Sequence, residues 1–183
     1  MSTVRILSVV GNPKPASRTR QVAEEVARIA STSFTAAGFE STTETLEVSS
    51  IGAHLLGWGA PEAETAVRQL VDAEVIVVAS PVFKATYTGL LKLLFDQIGA
   101  GQLAGSIAVP VMVGASPNHA LAVEAHLRPL LIEVGSSCPT AGLYIVDSTL
   151  DSFDEQLAAW STTAVPRIVA AVRGHPSRTM ATR

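Results

Sequence analysis

Five short apolar runs, at residues 4–10, 43–48, 75–79, 107–113 and 142–146, are separated by longer segments with apolar residues at helical spacing. Runs this apolar belong to strands buried on both faces, and the segments between them supply helices to cover those faces. Val22, Val26 and Ile29 form one such stripe, with Arg20, Glu24, Glu25 and Arg28 on the opposite side. Residues 61–72 repeat it with Ala63, Ala66, Val67 and Leu70, and Pro61 suits a first helical turn. Phe153, Leu157, Trp160, Ala164, Ile168 and Val172 make the last stripe; Pro166 removes a backbone donor inside it and predicts a bend.

Five strands joined by right-handed helical crossovers make a three-layer α/β sandwich. The flavodoxin-like parallel sheet of order 2-1-3-4-5 is the commonest small solution, although spacing alone does not give the order. With 183 residues, 48% hydrophobic and 16% charged, one domain over 1–173 is expected, with a mobile tail at 174–183. The net charge of -3 comes without a basic stripe, which argues against nucleic acid and anionic membrane as partners. The single cysteine, Cys138, makes neither an internal disulfide nor a zinc site, and fits a reducing cytoplasm. The first apolar run is too short for a secretory signal, and no later one reaches membrane-spanning length.

In such a sheet, ligands bind beyond the carboxyl ends of the strands, beside the first and third. Gly11-Asn12-Pro13-Lys14-Pro15-Ala16-Ser17-Arg18-Thr19 leaves the first run and enters a helix. The prolines restrict the loop, while a helix N-terminus flanked by Ser17, Arg18 and Thr19 suits an anion. Taken alone, Ser17 or Thr19 capping the helix beside a solvated Arg18 accounts for the loop equally well. The stretch is neither a P-loop nor G-x-G-x-x-G, so nucleoside triphosphatase and Rossmann readings fall away. After the third run, Ser80-Pro81-Val82-Phe83-Lys84-Ala85-Thr86-Tyr87-Thr88-Gly89 offers a semi-apolar platform for a flat heterocycle, or simply two packed aromatics. The helix beyond it carries Leu90, Leu91, Leu93, Leu94, Phe95 and Ile98 on more than one face, which predicts contact with a second subunit. After the fourth run, Gly114-Ala115-Ser116-Pro117-Asn118-His119 lacks the second glycine of a nucleophile elbow, and no acid-histidine pair accompanies it. His119 reads as a local hydrogen-bonding residue and His126 as a packing or interface residue.

Together these loops resemble the NAD(P)H-dependent FMN reductases of the flavodoxin-like superfamily, most closely the branch serving sulfonate monooxygenases. Gly11-x-Pro13-Lys14-x-x-Ser17-Arg18-Thr19 is similar to that family's phosphate loop, 80–89 to its flavin loop, and His119 with Leu127-Arg128-Pro129 to a following helix. The resemblance spans roughly residues 4–135. It implies phosphate contacts from Ser17, Arg18 and Thr19, with Asn12 beside them where the family carries serine. It further implies ring contacts from Pro81, Val82, Phe83 and Lys84, and a third-loop contact from Ser116. The implied activity is hydride transfer from NADPH or NADH directly to FMN N5, with no acid-base residue, in a homodimer or homotetramer that passes reduced flavin to a monooxygenase. Some members have an inserted tyrosine near Ala125 and His126, with a wide helical turn and tighter flavin retention. Histidine here predicts ordinary exchange. The nearest rival is a quinone, azo or chromate reductase that retains FMN. A flavodoxin-type carrier needs a T/S-x-T-G-x-T loop and an acidic surface, and a receiver domain needs acids at the first and third strand ends; this chain has neither set. Lys14 has three places to face: the phosphate, the nicotinamide cofactor or water.

Overall fold

The structure, a computed structural model, describes residues 3–148 and 153–174. Its sheet holds five parallel strands in the order β2-β1-β3-β4-β5: β1 (Thr3–Val10), β2 (Glu40–Glu47), β3 (Val75–Pro81), β4 (Ile107–Gly114) and β5 (Leu143–Val146). The expected order and all five strands are present. β2 starts three residues earlier than the apolar pattern indicates, because as an edge strand it buries only Leu46 and carries Thr and Glu elsewhere. Most of the expected tail, beyond Gly174, lies outside the described residues.

Alternate residues of the central strands feed two cores. Val4, Ile6 and Val10 face α1 (Arg18–Ala36) and α5 (Phe153–Gly174), together with Val75, Val77 and Ala79 of β3. Leu7, Val9, Ile76 and Val78 face α2 (Pro61–Asp72), α3 (Gly89–Phe95) and α4 (Arg128–Glu133). The inward stripe of α2 is the expected Ala63, Ala66, Val67 and Leu70. In α1, Val22 and Val26 are buried but Ile29 only partly, since Ala23, Ala27, Ala30 and Phe34 complete the stripe. Full burial of a side chain such as Phe34 or Leu70 stabilises the fold by about 1.5–3 kcal/mol. Pro166 sits inside α5, whose Leu157, Ala164 and Ile168 are buried.

Pro110 lies within β4, an interior strand, where a missing N–H is normally excluded. Ala108 N donates to Ser137 O, so the next position on the same side is Pro110, and β5 pairs only from Val111 onward. The proline therefore occupies the gap between the Ser137 bridge and the start of β5.

Candidate functional site

Strand register brings the carboxyl ends of β1, β3, β4 and β5 to one edge: Val10 pairs with Ala79, Pro81 with Val113, and Gly114 with Val146. The loops leaving this edge enclose a cleft of about 460 Å3, within the range of small-molecule sites. Asn12, Ser17, Arg18, Thr19, Pro81, Val82 and Phe83 all line it. Lys84 and Ser116 do not line it. Lys84 is exposed at the tip of the second loop, and the Ser116 hydroxyl instead accepts from Asn118 N at 3.2 Å, capping a short 3-10 turn.

The first loop is held by its own side chains. Asn12 Oδ1 accepts from Lys14 N at 2.9 Å, while Asn12 Nδ2 donates to Thr19 Oγ1 at 3.0 Å. Ser17 is the N-cap of α1, its hydroxyl accepting from Arg20 N at 3.3 Å. Ala16 adopts a left-handed φ of 48°, unusual for a residue with a Cβ, and its N–H is taken by Glu47 Oε1 at 2.9 Å. Capping by Ser17 thus holds, but Arg18 is not merely solvated: its Nη1 donates to Asp147 Oδ2 at 2.8 Å, and both residues line the cleft. Lys14 also lines the cleft.

The second loop takes its shape from the backbone. Phe83 N donates to Thr86 O at 2.9 Å and Thr86 N to Phe83 O at 3.2 Å, closing a two-residue turn. Its central residues Lys84 and Ala85 have φ of 52° and 67°, the left-handed pair of a type I′ turn that usually requires Asn or Gly. Phe83 is thereby carried out of the core and left 50% exposed. Val82 N donates to Val113 O at 2.8 Å, tying the base of this loop to β4. Beneath both loops, the buried Thr88 hydroxyl caps α3 by accepting from Leu91 N and donates to Gly11 O. Gly11 is required there, since a Cβ would lie 2.7 Å from that of Leu91.

At the third loop a Cβ on Gly114 would meet Tyr144 Oη at 2.0 Å. That hydroxyl donates to Ser116 O at 2.6 Å, and burial raises its pKa above the usual value of 10, so it stays a donor. Tyr144 and Asp147 escape sequence reading because both act on residues far away in the chain. Asp147 did leave a signal, as the first acidic residue after the fifth apolar run, at the edge where ligands bind.

Behind the third loop, Val123–Leu127 forms a wide π-type turn closed by Arg128 N to Val123 O. The turn forms with Ala125 and His126 in it and no tyrosine. Pro129 has no N–H and its ring excludes the carbonyl four residues back, so the regular helical pattern cannot run through it. Arg128 pairs with Glu124 and donates to Cys138 O at 2.9 Å; Glu124 Oε1 also accepts from Gly142 N at 2.6 Å. The Arg128 guanidinium holds the Glu124 carboxyl below its ordinary range, and burial pushes the Cys138 thiol up to about 11. His119 and His126 are both exposed.

Residues 4–151 match the model of a family described as NADPH-dependent FMN reductase. Among curated proteins, the chain is 35% identical over 88 residues to FMN reductase (NADPH) of Escherichia coli K12, covering 48% of this chain and 46% of that one. It is 35% identical over 89 residues to the NADH-dependent FMN reductase SfnF of Pseudomonas putida, covering 49% and 46%. The matched stretch thus spans about half the length of these relatives. Among solved structures, apo NADH:FMN oxidoreductase superposes with a TM-score of 0.82 at 28% identity, covering 95% of this chain and 92% of that one.

Proposed function

The chain belongs to the NADPH-dependent FMN reductase family, and from that premise we propose that it oxidises NADPH or NADH and passes hydride to FMN bound in the cleft. The observation that carries this reading is one cleft at the strand edge lined by cationic Lys14 and Arg18 beside the α1 N-terminus and by Pro81, Val82 and Phe83. The residues fit the group. Arg18 and the hydroxyls of Ser17 and Thr19 suit a phosphate. Asn12 acts as the brace that holds Thr19 in place rather than as a contact. When bound, FMN supplies the hydride-accepting ring. Pro81, Val82 and Phe83 support one side of it and leave the other open to nicotinamide.

Delivery of reduced flavin to a monooxygenase is part of the proposal, supported by the kinship with SfnF. So is self-association. Leu90 and Leu93 of α3 are only partly buried, and the nearby loop exposes Leu56 and Trp58 by 79% and 78%. Light scattering of the purified protein tests it, a monomer being the adverse result.

NAD(P)H oxidation by dialysed protein, followed with increasing FMN, tests the activity: a rate proportional to added FMN is expected, and no oxidation at any FMN concentration overturns the proposal. The wide turn at Val123–Leu127 favours a second reading, in which FMN is retained and a quinone or azo compound takes the electrons. Flavin that survives dialysis and turns over without addition supports that alternative.

A further inference from the structure

Arg18 is the first residue of α1, and Asp147 follows β5 at the far side of the sheet; 129 residues separate them. They form a 2.8 Å ion pair, and both line the cleft. Among the described residues lining this cleft, Asp147 is the acidic side chain, the other polar ones being Lys14, Arg18, the hydroxyls of Ser17 and Thr19 and the amides of Asn12 and Gln21. The side chains are 61% and 41% exposed, so the pair adds little to the stability of the fold. Its effect is local, on what the guanidinium is free to do.

We propose that Asp147 is an internal counter-ion that competes with the flavin phosphate for Arg18 and so sets how readily FMN is released. This rests on the reading of the cleft as an FMN site. A guanidinium recognises phosphate best through two parallel N–H donors, and the carboxylate occupies one nitrogen of that fork. An entering phosphomonoester carries a charge of about −1.5 to −2 at neutral pH. It must take the guanidinium from Asp147 or share it at close range with a like charge, and either course weakens binding. Riboflavin, without the phosphate, meets no such competition. The carboxylate is then a specificity and affinity device of the phosphate end, suited to an enzyme that lets its flavin go.

Affinities of FMN and riboflavin for wild type, Asp147→Asn, Asp147→Glu, Arg18→Ala and Arg18→Ala/Asp147→Asn, at low and high salt, test the proposal, together with FMN release rates by stopped-flow displacement. Asp147→Asn is expected to bind FMN roughly 5- to 10-fold tighter at low salt, mainly through slower release. Riboflavin affinity stays level, Asp147→Glu behaves like wild type, and the gain shrinks in high salt and in the Arg18→Ala background. Unchanged or weaker FMN binding by Asp147→Asn overturns the proposal, the weaker case making Asp147 an orienting support for Arg18. Equal tightening of riboflavin also overturns it, because the effect is then not on the phosphate. If Arg18→Ala weakens FMN and riboflavin alike, the phosphate site itself is misplaced and both readings fall. A phosphate-specific loss in Arg18→Ala with a silent Asp147→Asn removes the counter-ion alone.

Discussion

The loop after β1 is braced by side chains, with Asn12 bonded to Lys14 N and Thr19, Ser17 to Arg20 N, and Glu47 to Ala16 N. The loop after β3 has a shape written in its backbone, a tight turn with Lys84 and Ala85 both left-handed and Phe83 pushed outward. The two ends of one cleft thus reach preorganisation by different means. Polar bracing holds the hydroxyls of Ser17 and Thr19 at the cleft, so under the proposed function that end discriminates by chemistry and responds to salt. A backbone turn presents a surface, so the other end discriminates by shape.

The most disruptive change is at the third loop, where Gly114 lies against Val82 at the base of the shape-governed end. Gly114→Ala drives a Cβ into the Tyr144 hydroxyl that Ser116 holds, and should cost about 3 kcal/mol through overpacking, read by denaturant unfolding. Tyr144→Phe in the same chain should recover part of that loss. Arg18→Ala breaks the charge-governed end: FMN should bind roughly 30-fold more weakly by titration calorimetry while riboflavin changes little, as befits one charge-assisted contact. Equal losses for both flavins would erase the division between the ends.

Glu124→Gln sharpens the comparison by loosening the wall behind the third loop. The carboxylate bonds Gly142 N and Arg128, and its loss should cost about 1 kcal/mol at neutral pH, allowing for partial exposure. Arg128 holds this carboxyl below its ordinary value of 4.5, so its stabilisation is present above that value and is lost as pH falls through the lower, folded one. The difference in melting temperature between wild type and Glu124→Gln should therefore close on acidification. Ala85→Gly is the mildest change. It relieves a left-handed φ in a residue with a Cβ, and should stabilise the protein by about 0.5–1 kcal/mol after the added chain entropy of glycine.

Much of this architecture is legible in the chain because burial on both faces leaves an apolar imprint. The expected strands at 75–79 and 107–113 fall within β3 and β4, and the α2 stripe is the one expected. The edge is less legible: Glu40, Ser41 and Thr42 bury no apolar side chain, so nothing in their composition marks the start of β2. At the cleft, loop composition points to Ser17, Arg18, Pro81, Val82 and Phe83, since hydroxyls, a guanidinium and a proline-led platform are local signals. The Arg18 to Asp147 pair and the Tyr144 hydroxyl on Ser116 depend on tertiary approach across 129 and 28 residues, which periodicity does not encode. The wide turn at Val123–Leu127 leaves only a local trace in Pro129, which stops the regular pattern, because Val123 and Leu127 keep an ordinary helical spacing.

Thr88 joins the two loops from below, giving its proton to Gly11 O and receiving Leu91 N, while Ser80 Oγ accepts from Thr88 N at 3.0 Å. The knot is buried and lies outside the residues that line the cleft. Mutational drift at Lys14, Phe83 or Asp147 can therefore retune what is bound, and for how long, without unfastening the frame that presents it.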